Sequence, residues 1–288
     1  MNCLLCKDDN LKRVHEHGDG HALWRCAGCG LLQTVPMPSG NELAEYYQRY
    51  DVMGEREPYY RMMWGSAALD APEGRDVRDR FAWAKKRCGV FGKTLDVGSG
   101  PGLFLRLVKE DGGEPMGAEL NARAAERSSR EIGVEVVAGG IERVGRKDFD
   151  VIALWDLLEH VPDPARLIEE CRARLAECGW LFIETPDEGS LLDAAVRLSS
   201  RLGTAGPART FYGLHHLVLF RRKTIRRLLE EGGFSIAEIR GASTGPGRIF
   251  RGNGFKDKMM RLALGALFLL AKAADRQNKM LVAARKKK

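Results

Sequence analysis

Two cysteine pairs stand near the start of the chain, Cys3-x2-Cys6 and Cys26-x2-Cys29, with 19 residues between them. Two residues between thiols let one tight turn aim both sulfurs at the same ion. Four thiolates close a tetrahedron and leave no position for water. The spacing is that of a structural zinc site, so Cys3, Cys6, Cys26 and Cys29 are the candidate metal ligands. Gly30 suits the tight backbone after the second pair. A segment this short buries too little apolar surface to fold alone, and metal binding is expected to supply the folding free energy. His15, His17 and His21 lie between the pairs, but four sulfurs already complete the set.

The second chemical stretch is "TLDVGSGPGLFLRLVK", residues 94–109. Gly98, Gly100 and Gly102 follow Asp96 closely, and an apolar, helix-like run comes next. Dinucleotide sites use G-x-G-x-x-G/A with the pyrophosphate on the helix N-terminus. Gly98 and Gly100 fit that pattern, but its third position is Leu103, and Asp96 sets a negative charge where a diphosphate would lie. An acid there suits a ligand bearing an ammonium group. S-adenosylmethionine has one, beside its sulfonium centre. Glu119 ends the strand-like run "PMGAE", 23 residues after Asp96. An acid in that place can accept both hydroxyls of a ribose.

Methyl transfer from a sulfonium is an in-line displacement with a neutral leaving group. Holding the reacting atoms collinear contributes on the order of 7–11 kcal/mol. A hydroxyl nucleophile must also lose a proton, which calls for a base of near-neutral pKa. His160 and His216 are the candidate bases; each can equally serve to pin a loop by hydrogen bonds.

These residues need a frame. The length, 288 residues, fits one large domain and a small one. After Gly92, strand-like runs ("TLDV", "PMGAE", "VEVVA", "FDVIAL", "WLFIET") alternate with helix-like runs at 103–110, 122–132 and 164–176. That alternation predicts an α/β fold, a doubly wound, mostly parallel sheet covered on both faces, with its ligand at the carboxyl ends of the strands. The remaining chain divides into a zinc ribbon (1–38), a helical linker or cap (39–92), the main domain (93–252) and a helical basic tail (253–288). Helices are expected at 41–50 and from about 59 to 88, with Tyr46 and Tyr47 as a lid or as core. Cys88, Cys171 and Cys178 read as ordinary thiols in helix-like segments.

From residue 94 to about 240 the chain resembles the class I S-adenosylmethionine-dependent methyltransferases, in the group of ubiquinone-type O-methyltransferases and bacterial cell-envelope and natural-product enzymes. "LDVGSGPG" is similar to the family's glycine motif, which implies cofactor contacts at Asp96, Gly98, Ser99, Gly100 and Gly102. "GAELN" resembles its second-strand acid, implying Glu119 and Leu120. "AGGIERV" stands where the family meets adenine, at Gly140 and Ile141. "VIALWDLLEHVPDP" resembles its fourth strand, with Trp155 and Asp156 toward the cofactor's methionine end. "GWLFIETPD" and "HHLVLFRRKTIRRLLEEGGF" are similar to the stretches beyond, and the cysteine segment resembles ribbon leaders of some members. The resemblance implies seven strands with the last antiparallel. "FSIAEIR" makes a sixth. For the seventh, "GRIF" (247–250) is short, and the sheet edge can instead be handed to the tail.

Charge is uneven. Residues 251–288 carry 11 Lys/Arg against 2 Asp/Glu, and the rest of the chain is near neutral. Residues 194–229 hold eight basic residues and no acid, which fits either a solvated face or an anionic, phosphorylated acceptor nearby. The tail's apolar and basic composition fits an anionic membrane surface, or docking on the protein itself. No signal-like start is evident, so the expected location is cytoplasmic, peripheral on the inner face of the membrane. The leading function is methyl transfer to a small or lipid-linked acceptor such as a glycan precursor or cell-envelope intermediate. The alternatives are a nucleic-acid methyltransferase and a non-catalytic cofactor-binding scaffold. Against nucleic acid, "LWDLLEH" lacks the Asn/Asp-Pro-Pro-aromatic motif of exocyclic amine methylation, and Pro-Cys is absent.

Overall fold

A computed structural model describes residues 1–17, 20–49, 61–202, 212, 216–243 and 254–287. The chain opens with three strands, Leu11–Glu16 (β1), Ala22–Cys26 (β2) and Leu32–Val35 (β3). Helix Gly40–Arg49 (α1), a 3-10 turn at Ser66–Leu69 and helix Pro72–Cys88 (α2) follow. Strands and helices then alternate: Lys93–Val97 (β4), Leu103–Glu110 (α3), Glu114–Glu119 (β5), Ala122–Ile132 (α4), Val136–Ala138 (β6), Phe149–Trp155 (β7), Pro164–Arg174 (α5) and Leu175–Pro186 (β8). The last third holds Leu191–Arg201 (α6), Val218–Leu219 (β9), Arg222–Glu231 (α7), Phe234–Ala242 (β10), Phe255–Ala273 (α8) and Lys279–Lys286 (β11).

The large sheet has seven strands in the order β10-β11-β8-β7-β4-β5-β6. Strands β8, β7, β4, β5 and β6 are parallel, and β11 runs antiparallel to both neighbours. Val151, Ile152, Ala153 and Leu154 of β7 are fully buried, as a strand covered on both faces requires. The chain winds outward from β4 through β5 to β6 and then returns to β7 on the other side. That reversal opens a crevice at the carboxyl ends of β4 and its neighbours. Side chains start the covering helices: Asn121 caps α4 by accepting from Ala124 N (3.1 Å), and Asp163 caps α5 by accepting from Arg166 N (3.0 Å) ahead of Pro164.

The expected tail is helical only in part. Its helix α8 is present, but residues 279–286 form a central strand inserted between β8 and β10. Met280, Leu281, Val282, Ala283 and Ala284 are all buried, because both faces of that strand are covered. A boundary at 253 therefore cuts the sheet. "GRIF" at 247–250 and the side chains of Tyr46 and Tyr47 lie outside the described residues. Cys178 sits in β8 instead of a helix, while Cys88 ends α2 and Cys171 is buried in α5.

Strands β1, β2 and β3 form a second, antiparallel sheet whose fourth strand is β9, contributed from far along the chain. Cys3, Leu5, Cys26 and Leu31 share one hydrophobic core with Leu154, Leu217 and Phe220. The small sheet is thus built onto the large one.

Candidate functional site

At the end of β4 the backbone turns sharply. Gly98 takes a φ of 73°, and a Cβ there would lie 3.0 Å from Leu157. The amides of Gly98 and Ser99 both donate to Ala118 O, at 2.8 and 3.1 Å, which clips the loop to β5. Gly100 N donates to Glu119 Oε2 and Asn121 N to Glu119 Oε1, each at 2.9 Å. Glu119 is therefore aimed before any ligand arrives. Burial pushes its pKa up, against those backbone donors.

A cavity of about 1120 Å³ opens over this loop. Asp96, Gly98, Ser99, Gly100, Glu119, Leu120, Gly140, Ile141, Trp155, Asp156 and His160 all line it, so most of the sequence-derived positions share one wall system. Gly102 does not belong to that lining. It caps α3 at a φ of 74°, and a Cβ there would overlap Ile132 and Ser128 of α4. Its glycine serves helix packing.

Asp96 is 3% exposed, and its Oδ1 has no partner among the described residues. Burial raises its pKa to about 8; the field of Arg80 opposes this and that of Glu119 adds to it. An orphaned, buried carboxyl at the cavity wall is a ready acceptor for a cationic donor. Arg80, from α2, lines the same cavity with its guanidinium 5.5 Å from the centre of the Trp155 ring. Trp155 also packs edge-on against Trp83 and Phe104, so it is both core and wall.

Lys279, the first residue of β11, holds the acids at the ends of β7 and β8. Its Nζ lies 2.6 and 2.8 Å from the two oxygens of Asp156 and 2.7 Å from Glu184 Oε1. Arg80 approaches the same two acids at 3.4 and 3.5 Å. Burial would raise the pKa of Asp156, but Lys279 and then Arg80 hold it down to about 2.

His160 and His216 come together as a tilted pair, ring centres 5.2 Å apart. His160 lines the cavity and His216 stands behind it. Glu159, 1% exposed, accepts from Thr185 Oγ1 at 2.9 Å and lies 3.8 Å from His160 Nε2. Burial, followed by the charge of Asp156, drives the Glu159 pKa up to about 8.

A family model described as a methyltransferase domain matches residues 70–239, more than half of the chain. The chain belongs to this methyltransferase family. Its class is that of the S-adenosylmethionine-dependent enzymes. This methyltransferase is 32% identical over 115 residues to the ubiquinone biosynthesis O-methyltransferase of Paraburkholderia xenovorans, a match covering 37% of the chain and 50% of that protein. With the enzyme of the same name from Paraburkholderia phymatum it shares 28% identity over 178 residues, 58% of the chain and 75% of that protein. The chain thus spans half to three quarters of the length of these two relatives. In fold it is similar to a Burkholderia thailandensis 1,6-didemethyltoxoflavin-N1-methyltransferase solved with S-adenosylhomocysteine bound, at 14% identity and a TM-score of 0.56, covering 96% of this chain and all of that one.

The four ribbon cysteines of this methyltransferase gather as the spacing predicts. Their sulfurs all lie within 4.8 Å of one another, with Cys3–Cys29 at 3.5 Å and Cys6–Cys26 at 3.4 Å. Zn–S bonds of about 2.3 Å set tetrahedral sulfurs a little under 4 Å apart, so the donor set fits zinc. Burial acts to raise the Cys26 pKa, but the Cys29 amide and neighbouring thiols outweigh it and bring it to about 7. At Cys3 and Cys29 burial prevails and raises the thiols instead.

The basic run at 194–229 is largely satisfied from outside itself. Arg197 and Arg221 bind Glu188, Arg222 binds Asp187 and Asp275, and Arg226 and Arg227 pair with Glu230 and Glu231. Arg209 lies outside the described residues. Sequence reasoning missed Arg80 and Lys279. Arg80 sits in a helix with no motif around it, and Lys279 was masked by the basic composition of its segment.

Proposed function

We propose that this methyltransferase moves the methyl group of S-adenosylmethionine to a small or lipid-linked acceptor of the glycan-precursor or cell-envelope kind. The observation that carries the reading is the pairing, in one cavity, of a buried carboxyl whose Oδ1 has no partner among the described residues (Asp96) with a guanidinium (Arg80). A zwitterionic amino acid moiety matches both: its ammonium faces Asp96 and its carboxylate faces Arg80. Glu119, already oriented by two amides, accepts the ribose hydroxyls, with Leu120 beside it. Gly140 and Ile141 border the adenine, and Trp155 and Asp156 the methionine end.

The cofactor supplies an electrophilic methyl group and leaves as a neutral thioether. The chain's own work is positioning and proton removal. His160 lines the cavity and takes the acceptor's proton, with His216 behind it. Arg166 lines the cavity from α5 and supports an anionic acceptor. Incubating cell extract with the enzyme and isotopically labelled cofactor, followed by untargeted mass spectrometry, tests the reading. One component should gain a labelled methyl with wild-type protein and none with Asp96→Asn. An extract unchanged by folded, cofactor-loaded protein would contradict it.

We infer further that α8 rests on an anionic membrane surface. Met259, Leu262, Leu269 and Leu270 are each more than half exposed on one side of the helix, and Lys258 and Lys272 are exposed near its two ends. No helix among the described residues is long and apolar enough to cross a membrane. Truncation before α8 would remove β11 from the sheet, so the test uses Leu262→Ser with Leu269→Ser. Liposome flotation of wild type and loss of it in the double variant is the expected result; wild type that stays with the soluble fraction sinks the idea.

A further inference from the structure

The ribbon's own sheet edge ends at the histidine pair. Strand β3 pairs antiparallel with β9, Leu32 opposite Leu219 and Gln33 opposite Val218. Thr34 N donates to Leu217 O at 2.8 Å, and Leu217 N donates to Glu159 O at the same distance. Leu217 follows His216 directly, and Glu159 precedes His160. One residue, 1% exposed, therefore bridges ribbon and acceptor side with both of its backbone groups.

Two braces tie this edge to the metal-side loops. Gln33, 3% exposed, donates from Nε2 to Asn2 O (3.1 Å) and accepts at Oε1 from Leu4 N (2.8 Å). Arg25 of β2 makes a forked contact to Glu188, at 2.6 and 3.1 Å, and Glu188 N donates to Phe220 O at 2.9 Å. Burial would raise the Glu188 pKa, but the bonds from Arg25 and Arg221 keep it below the usual range. A two-residue strand such as β9 has little hold of its own and depends on its neighbour. The cofactor side is wired differently. Gly98, Ser99 and Gly100 bond to Ala118 and Glu119, and Glu119 bonds to Asn121.

We propose that the four-cysteine ribbon is the positioning arm of the acceptor side: through Leu217 its sheet edge holds His216 against His160. Ribbon integrity then governs the histidine geometry and leaves the cofactor loop alone. The consequence for turnover rests on the proposed base role of the histidines. Geometry alone makes that consequence large, since a misplacement of about 1 Å can cost on the order of a hundredfold in rate.

Full-length protein is stripped of metal with a chelator, and Arg25→Leu provides a second arm that keeps the cysteines. Hydrogen exchange by mass spectrometry, calorimetric affinity for S-adenosylmethionine and turnover are read on both. Expected are faster exchange in peptides covering 217–219 and 159–161, unchanged cofactor affinity and a fall in turnover. Unchanged exchange at 217–219 in both arms overturns the proposal. So does cofactor affinity in Arg25→Leu that collapses together with turnover, because the ribbon would then support the whole fold. Faster exchange at both segments with full turnover upholds the positioning and removes the histidines from the chemistry.

Discussion

Lys279, the opening residue of the last strand, grips both carboxylate oxygens of Asp156, at 2.6 and 2.8 Å. The chain's final strand thus braces a cavity residue from behind as well as completing the sheet. Glu184 and Arg80 share the contact, so the cluster holds two acids and two bases.

Lys279→Met leaves buried Glu184 and part-exposed Asp156 with less counter-charge. Breaking a fully buried pair costs about 3–5 kcal/mol; with Asp156 open to the cavity and Arg80 still on both acids, chemical denaturation should show a smaller loss. The pH signature has a definite sign. The Asp156 pKa falls from 3.8 to about 2 on folding, so its stabilisation is present above the higher value and fades as pH drops through the lower one. That acid limb should shrink in Lys279→Met. A variant as stable as wild type, with the same acid limb, would contradict the assignment.

Asp96 works the other way. Its folded pKa near 8 lies above the ordinary 3.8, so the stabilisation it gives is full below 3.8 and lost as pH rises through about 8. Ligand-free protein should lose thermal stability as pH rises from 3.8 to about 8, and the loss should level off above that. Glu159, also raised to about 8, contributes in the same direction, and Asp96→Asn separates the two. A flat profile in wild type, identical to that of Asp96→Asn, would count against the burial argument.

His160→Ala and His216→Ala address the proton. Loss of a general base lowers turnover by roughly 10²–10⁴-fold. Steady-state rates should fall in both variants while calorimetric cofactor affinity stays near wild type. If both retain full rate, neither histidine is the base.

Purified protein should carry one zinc per chain, measured by elemental analysis. Cys29→Ser should lower that occupancy and unfold the ribbon, because metal binding supplies its folding free energy. A content well under one in wild type would remove zinc from the account.

Much of the crevice was legible in the sequence because its residues are local to motifs. Asp96 to Gly100 make one turn, and Glu119 ends the neighbouring strand. The cysteine spacing likewise forecast the cluster. Other parts depend on distant pairing. Leu217 touches the ribbon only because β3 finds β9 far along the chain, and no local pattern marks a two-residue strand. Arg80 contributes because α2 packs on β7 and β8, a contact made far along the chain. The seventh strand had a signal: five consecutive apolar residues, Met280 to Ala284, mark a strand buried on both faces. The flanking lysines and arginines hid it behind a surface-helix composition. Gly102 shows the converse, a residue inside a ligand motif whose side-chain space is taken by Ile132 and Ser128.

Whether Asp96 holds the cofactor's ammonium group is decided by calorimetric titration of S-adenosylmethionine into wild type and Asp96→Asn at near-neutral pH. The substitution keeps the shape of the side chain and removes its ability to become charged. One cofactor should bind per wild-type chain, with a proton released from Asp96, and none measurably to the folded variant. Equal affinity in the two proteins would contradict it.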